Sequence, residues 1–252
     1  MFSLGHILWL VALAAIITIG AILLQKTKVS FSTITYCLCA FMALCQLEII
    51  IEYMVPVSEG TVLPFRQLEG EMSGMVLDPI AIPFHLCGLQ TFLVTYTAFS
   101  KNERVVHALR MFMLPTMLLG ALCACLIPTE GTGFTIRTVE YFLYHGALIL
   151  YAVMLLLRGV TKMTWRDYGR NFLLMLGLAF FGMWINSFLA AYNTNFLYLV
   201  RPPMEGLPLI NLDNGWYVYI VTYLTIVAVV LALAQLPIVL YFNKKRKEIE
   251  EI

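Results

Sequence analysis

Two short apolar stretches of this chain contain residues that could act as a nucleophile and a base. The run from Phe84 to Gly88 carries His85 and Cys87, and a later apolar stretch carries His145. Ionisable groups are costly in hydrocarbon and are usually retained there for a function. A cysteine becomes a strong nucleophile when a nearby base holds it as the thiolate. The question for the whole chain is therefore whether Cys87 and His145 can meet.

The composition indicates an integral membrane protein. Hydrophobic residues make up 61% of the 252 residues and charged residues 12%, and the mean hydropathy is +0.84. Soluble domains are roughly 45–50% apolar and about 25% charged. The length accommodates six to eight membrane-spanning helices of about 20 residues each, so we expect residues 1–252 to form one domain.

Seven apolar stretches predict an all-α protein, a bundle of seven transmembrane helices. Only helices and closed barrels satisfy the backbone polar groups in lipid, and strands that span a membrane are about ten residues long. The predicted spans are 7–24, 33–53, 81–99, 105–127, 138–157, 168–192 and 215–242. Asp78 and Pro79 resemble an N-cap and a first-turn proline that open the third helix.

The distribution of basic residues predicts the orientation of the bundle. With the N-terminus outside, thirteen of the sixteen lysines and arginines fall in cytoplasmic segments or the C-terminal tail, and the exceptions are Arg66, Arg137 and Arg201. Cytoplasmic loops of membrane proteins are enriched in Lys and Arg. We therefore expect the N-terminus outside and the C-terminus in the cytoplasm.

The polar residues of the predicted spans fall at one depth. A rise of about 1.5 Å per residue puts Cys87 roughly 9 Å and His145 roughly 10 Å below the outer boundary. The same level holds His85, Glu48, Glu52 and Asn186, with Asn193 just above it. This segregation predicts a polar pocket that opens toward the outer leaflet.

Spacing assigns different roles to the two histidines. His85 and Cys87 are two positions apart, so they point to nearly opposite sides of a regular helix. His145 is therefore the better base for Cys87, while His85, Asn186, Asn193 or backbone N–H groups are candidates to stabilise an oxyanion. Gly88 and Gly146 flank the pair and would allow close helix approach or room for a substrate.

Other readings of these residues stay open. A lone membrane histidine can simply join two helices, and a lone cysteine is usually a small buried hydrophobe. Cys123 and Cys125 lie near enough in predicted depth for a disulfide with Cys87 to be an alternative. The cysteine and histidine spacing fits no zinc site, no lysine lies in a predicted span for a retinal Schiff base, and nothing indicates a cofactor or nucleic-acid binding.

At His85-Leu-Cys87, Tyr144-His145-Gly146 and the stretch from Asn193 to Pro202, the chain resembles the YwaF-like integral membrane proteins. Animal relatives of that family are phospholipid acyltransferases that build ether-linked phosphatidylethanolamine without acyl-CoA. The resemblance implies a thioester on Cys87, His145 as the base, and phospholipid and lysolipid substrates. An acidic residue common in that family is replaced here by Gly88, and Glu48 is the candidate to supply the missing carboxylate.

The sequence thus predicts a phospholipid acyltransferase of the cell membrane, and the family resemblance favours a bacterial plasma membrane. The alternative is a small-solute or lipid transporter, or a receptor, whose polar pocket holds the ligand. In that alternative Glu48, His85 and His145 would relay protons. Against it, no pair of interrupted, repeated helices is evident, although many transporters have one.

Overall fold

The computed structural model describes residues 3–57, 62–63, 66–67, 74–160, 162–203, 206–207 and 209–250. Within these residues the chain forms seven α-helices. They are α1 (Leu4–Lys26), α2 (Phe31–Glu52), α3 (Leu86–Phe99), α4 (Glu103–Leu126), α5 (Ile136–Leu157), α6 (Trp165–Phe188) and α7 (Trp216–Glu250).

Six of the described helices, all except α3, are long and apolar enough to cross a membrane. The prediction of a multi-pass helical membrane protein is therefore confirmed. The orientation of the termini stays a prediction. We call the end of the bundle where α2 and α6 finish and α3, α5 and α7 begin the site end.

The third helix is shorter than the predicted span 81–99. It begins at Leu86 and has 14 residues, fewer than the roughly 20 that a membrane crossing needs. Asp78 does act as a cap, because its Oδ1 accepts a hydrogen bond from the Ile80 N–H at 2.9 Å. The helix that it opens, however, is a single 3₁₀ turn over Pro79–Ala81. Pro83 ends this turn, because a proline disfavours helical backbone in the residue before it.

The connection between α2 and α3, read from the sequence as a loop, contains short antiparallel strands. β1 (Met54–Val57) pairs with β4 (Gly74–Leu77), and β2 (Val62–Leu63) pairs with β3 (Arg66–Gln67). These strands are two to four residues long, too short to show the alternating pattern by which strands are recognised.

Helix α5 packs against α1, α2 and α4 and lines the core. Gly146 has the role expected of it, since a Cβ there would lie 2.6 Å from a methyl carbon of Leu13 on α1. Trp9 of α1 stacks on Phe142 of α5, with ring centroids 4.9 Å apart. His6 donates a hydrogen bond from Nε2 to the Cys125 carbonyl at 2.8 Å, which fixes α1 to the end of α4.

A proline inside α4 requires a hydrogen bond from another helix. Pro115 has no N–H, so the carbonyl of Met111, four residues earlier, loses its donor within the helix. Asn171 of α6 supplies the donor, with Nδ2 3.1 Å from that carbonyl oxygen. Asn171 is fully buried, so this bond both satisfies α4 and joins it to α6.

Replacing Asn171 by Ala should lower the free energy of unfolding by about 1–3 kcal/mol, because a buried carbonyl loses its partner. Thermal unfolding in detergent would measure the loss. The same substitution should cost less in a Pro115→Ala background, where the N–H of residue 115 can donate to the Met111 carbonyl. Equal losses in both backgrounds would contradict this account.

Candidate functional site

Cys87 lies in the first turn of α3, at the site end of the bundle. His85 is the N-cap residue of that helix, and its side chain makes no capping bond. The Cys87 sulfur faces α4 at Gly120, where an added Cβ would lie 3.3 Å from Sγ. The first backbone N–H groups of a helix have no partner within it, and they carry partial positive charge. Among the described residues, the N–H groups of residues 86–88 donate to no backbone acceptor outside the helix, so they are available to an anion.

Gly88 has a local role that differs from the one expected. A Cβ at Gly88 would lie 2.8–2.9 Å from atoms of Pro83, including its backbone. The glycine therefore lets the chain fold back on itself at the start of α3. It is neither a helix–helix contact nor space for a substrate.

His145 is buried on α5 and its ring is held in one orientation. Its Nδ1 lies 2.7 Å from the carbonyl oxygen of Tyr141. Because a carbonyl only accepts, Nδ1 must carry the hydrogen, and Nε2 of the neutral ring is then the nitrogen with a free lone pair. The hydrogen bond found for this ring among the described residues is the one at Nδ1. A neutral imidazole in this tautomer has the lone pair on Nε2 that proton abstraction needs.

Tyr144 connects α5 to the cysteine. Its hydroxyl donates to the carbonyl oxygen of Cys87 at 2.7 Å and lies 3.2 Å from the hydroxyl of Thr91. Its ring is 5.3 Å from the ring of His145. One hydrogen bond thus joins the backbone of Cys87 to the residue that precedes His145. In the sequence Tyr144 stands out only as part of a motif, although its place next to His145 was the available signal.

His85 packs against the segment between α6 and α7. Its ring centroid is 5.4 Å from those of Phe196 and Tyr198. That segment forms two 3₁₀ turns, Ala190–Tyr192 and Phe196–Tyr198. His85 therefore packs against one wall of the region around Cys87.

The amide groups of Asn186 and Asn193 are already engaged. Asn186 donates from Nδ2 to the Phe196 carbonyl at 3.0 Å and accepts from the Phe196 N–H at 2.8 Å. Asn193 has left-handed backbone and accepts from the Arg201 guanidinium at 2.6 Å. Both side chains hold the segment between α6 and α7 in place. The oxyanion role assigned to them from the sequence stays a prediction, and this geometry does not favour it.

Glu48 and Glu52 belong to a separate ionic cluster around Arg137. The guanidinium lies 3.5 Å from Glu48 and 3.4 Å from Glu52. It lies 3.6 Å from Glu130 and 2.8 Å from Glu140. Four carboxylates thus share one arginine. The proposal that Glu48 acts as the carboxylate beside the cysteine has no contact to support it. From the sequence, Arg137 is recognised only as one of three basic residues outside the predicted cytoplasmic segments.

A cavity lies beside this cluster. A groove of about 370 Å³ between α2 and α5 is lined mainly by apolar side chains, together with Cys45, Glu48 and Glu140. Neither Cys87 nor His145 lines it. The polar residues that the sequence places at one depth therefore form two groups, one around Cys87 and one around Arg137.

No group of three or more metal-ligating side chains occurs among the described residues. All six cysteines are present as free thiols. The disulfide considered for Cys87 is thus not formed in this structure.

Fold and site together define a multi-pass helical membrane protein with a cysteine at the N-terminus of a short helix. The model of the TMEM164 family matches residues 1–235, and the chain belongs to that family. Neither the curated proteins nor the solved structures include a match to this chain. The relation to YwaF-like proteins and the acyltransferase chemistry stay predictions.

Replacing Arg137 by Met should lower the free energy of unfolding by about 1–3 kcal/mol, since four carboxylates would lose their shared cation. The loss is smaller than for a fully buried pair because Glu52 is 45% exposed. Thermal unfolding in detergent measures it.

Adding Glu140→Gln to the Arg137→Met variant should restore part of the stability, because it removes one of the repelling charges. The exposed Arg166 provides the control. If Arg166→Met is as destabilising as Arg137→Met, the cluster does not stabilise the bundle.

Proposed function

We propose that this membrane protein transfers acyl chains between lipids through a thioester on Cys87, with His145 as the base. The observation that carries the proposal is the fixed ring of His145. Its Nδ1 is bonded to the Tyr141 carbonyl, which leaves Nε2 unprotonated, and the adjacent Tyr144 bonds the backbone of Cys87.

The burial of the site determines how the thiol must react. A free thiolate is unfavourable in apolar surroundings, so the proton has to pass directly to a base as the sulfur attacks. In the first half-reaction, Nε2 of His145 takes the proton from Cys87, and the sulfur attacks the carbonyl carbon of a lipid ester. The leaving alkoxide then takes the proton from the imidazolium, which releases a lysolipid.

The second half-reaction reverses these steps with a new acceptor. His145 removes the proton from an acceptor hydroxyl or amine, which attacks the thioester on Cys87. The thiolate leaves and recovers the proton. If water reached the site, it would act as the acceptor and the enzyme would be a phospholipase. His145 is only 6% exposed and lies among apolar side chains. This exclusion of water supports transfer rather than hydrolysis.

The free N–H groups at the start of α3 support stabilisation of the oxyanion that forms in both half-reactions. Donors placed where negative charge develops lower the barrier to acyl transfer. The N–H groups of residues 86–88 lie on the same turn as the reacting sulfur. They are stronger candidates for this role than Asn186 or Asn193, whose amides are engaged elsewhere.

Phospholipid and lysolipid substrates follow from the apolar setting, because they can reach a site within a bundle of membrane helices by lateral diffusion. From the charge distribution we place the site on the outer leaflet side. We propose the bacterial plasma membrane as the location. The substrates, the orientation and the membrane are all parts of this proposal.

One observation favours the second candidate function, transport of a small solute. Gln235 is fully buried, yet neither atom of its side-chain amide has a hydrogen-bond partner among the described residues. The Oδ1 atom of the buried Asn171 also lacks a partner there. Buried polar atoms without protein partners are often satisfied by water. A hydrated path along α6 and α7 would suit a transporter, but it does not account for the arrangement at Cys87.

The intact mass of the protein purified with lipid should show an adduct of fatty-acyl size that neutral hydroxylamine removes, since hydroxylamine cleaves thioesters. Cys87→Ala should lack the adduct and have no lipid-exchange activity. Cys37 is exposed on α2 and provides the matched control, so Cys37→Ala should retain both. An active Cys87→Ala protein would exclude this mechanism.

Replacing His145 by Gln should slow acylation of Cys87 about 10²- to 10⁴-fold, the range for loss of a general base. The rate is measured as the increase of the acylated mass with time after a lipid ester is added. His107 is exposed on α4, and His107→Gln should react at the wild-type rate. Equal rates for the two variants would exclude His145 as the base.

A further inference from the structure

The backbone of the segment that faces His85 is held in an unusual conformation. Leu197 and Tyr198 have φ values of 57° and 53°, in the left-handed region that residues other than glycine seldom adopt. Such conformations persist only where the surrounding structure imposes them, and they are concentrated at functional sites.

Three aromatic side chains of α7 hold the segment through its carbonyl groups. The Trp216 indole donates to the Leu199 carbonyl at 2.9 Å, and the Tyr223 hydroxyl donates to the Leu197 carbonyl at 2.9 Å. Between them, the Tyr219 hydroxyl donates to the carbonyl of Tyr198. These donors recur at helical spacing on one face of α7, so consecutive carbonyls are bound to one rigid element.

The segment held in this way directs Tyr198 toward the start of α3. Its ring centroid lies 5.4 Å from that of His85, two residues before Cys87. No hydrogen bond of the Tyr198 hydroxyl is found within the described residues, whereas the carbonyl groups of residues 197–199 are all bonded. A half-buried phenol that is positioned by other residues and has no partner of its own is available to a ligand.

Electrostatics shows in which form this phenol is present. Burial raises the pKa of Tyr198 above its usual value, and the nearby Cys87 thiol raises it further. A raised pKa keeps the hydroxyl protonated throughout the neutral range and into alkaline solution. Tyr198 therefore acts as a hydrogen-bond donor rather than as a base.

We propose that Tyr198 is a catalytic residue whose hydroxyl donates a hydrogen bond to the oxyanion formed when Cys87 attacks an acyl ester. This inference rests on the proposed acyl transfer. In this proposal the oxyanion accepts hydrogen bonds from the N–H groups of the first turn of α3 and from the Tyr198 hydroxyl. The α7 aromatic residues are positioning residues, since they act through the backbone of Tyr198.

Acylation of Cys87 passes through this oxyanion. The sulfur–carbon bond forms as the thiol proton moves to His145, and the π electrons of the ester carbonyl move onto its oxygen. Tyr198 stabilises that oxyanion without giving up its proton. The carbonyl then re-forms, the ester C–O bond breaks, and the alcohol leaves with the proton from His145.

Tyr198→Phe tests the inference because it removes only the hydroxyl. The probe is the p-nitrophenyl ester of decanoic acid in detergent micelles, with acylation of the Cys87 peptide followed by mass spectrometry. We expect acylation to slow about 10²-fold, as on loss of one oxyanion donor. The melting temperature should not change. Tyr217→Phe, at a position 80% exposed on α7, should react at the wild-type rate.

A second reagent separates catalysis from a change of structure. Iodoacetamide alkylates a thiol by displacement of iodide, and no oxyanion forms. We therefore expect Tyr198→Phe and the wild type to be alkylated at Cys87 at the same rate. An equal loss with both reagents would mean that Tyr198 only positions the thiol, which would overturn the inference.

The remaining outcomes distinguish the two proposals. If wild-type Cys87 is acylated and Tyr198→Phe reacts at the same rate, the role of Tyr198 is wrong and the acyl transfer stands. If wild-type Cys87 is not acylated by the ester or by copurified lipid, both proposals are wrong. Tyr219→Phe should slow acylation and also lower the melting temperature, because it releases the backbone of Tyr198.

Discussion

The structure depends on one constraint, which is that backbone polar groups in apolar surroundings must find hydrogen-bond partners. Regular helices meet this constraint by themselves, and each interruption of a helix requires a side chain from another element. Asn171 bonds the carbonyl freed by Pro115, and Asn186 bonds both backbone groups of Phe196. Some of the polar side chains that fix the helices relative to one another are thus found where the backbone is irregular.

The same constraint explains why the candidate site lies where it does. The start of α3 is an interruption, since Pro83 delays the helix to Leu86 and leaves N–H groups without partners. The segment between α6 and α7 is another, and aromatic side chains of α7 bond its carbonyls. Cys87 lies where these two interruptions meet. Groups that hold the fold together therefore also surround this cysteine.

The charged residues form a second centre with a different physical basis. Arg137 balances only one of the four carboxylates that surround it, and the groove beside it is otherwise apolar. This cluster joins α2, α5 and the connection that precedes α5. It stabilises the bundle by ion pairing, whereas the region around Cys87 is organised by neutral hydrogen bonds.

The sequence by itself determined the membrane class, the helices and the pairing of Cys87 with His145 as residues of interest. Composition and apolar run length report directly on burial in lipid, so they needed no knowledge of packing. Only the tertiary structure decided where each side chain points. It fixed the proton of His145 through a carbonyl one turn away, moved Glu48 to Arg137 and brought Tyr198 to His85. Depth along a helix follows from residue number, but the angle around it depends on contacts between distant segments.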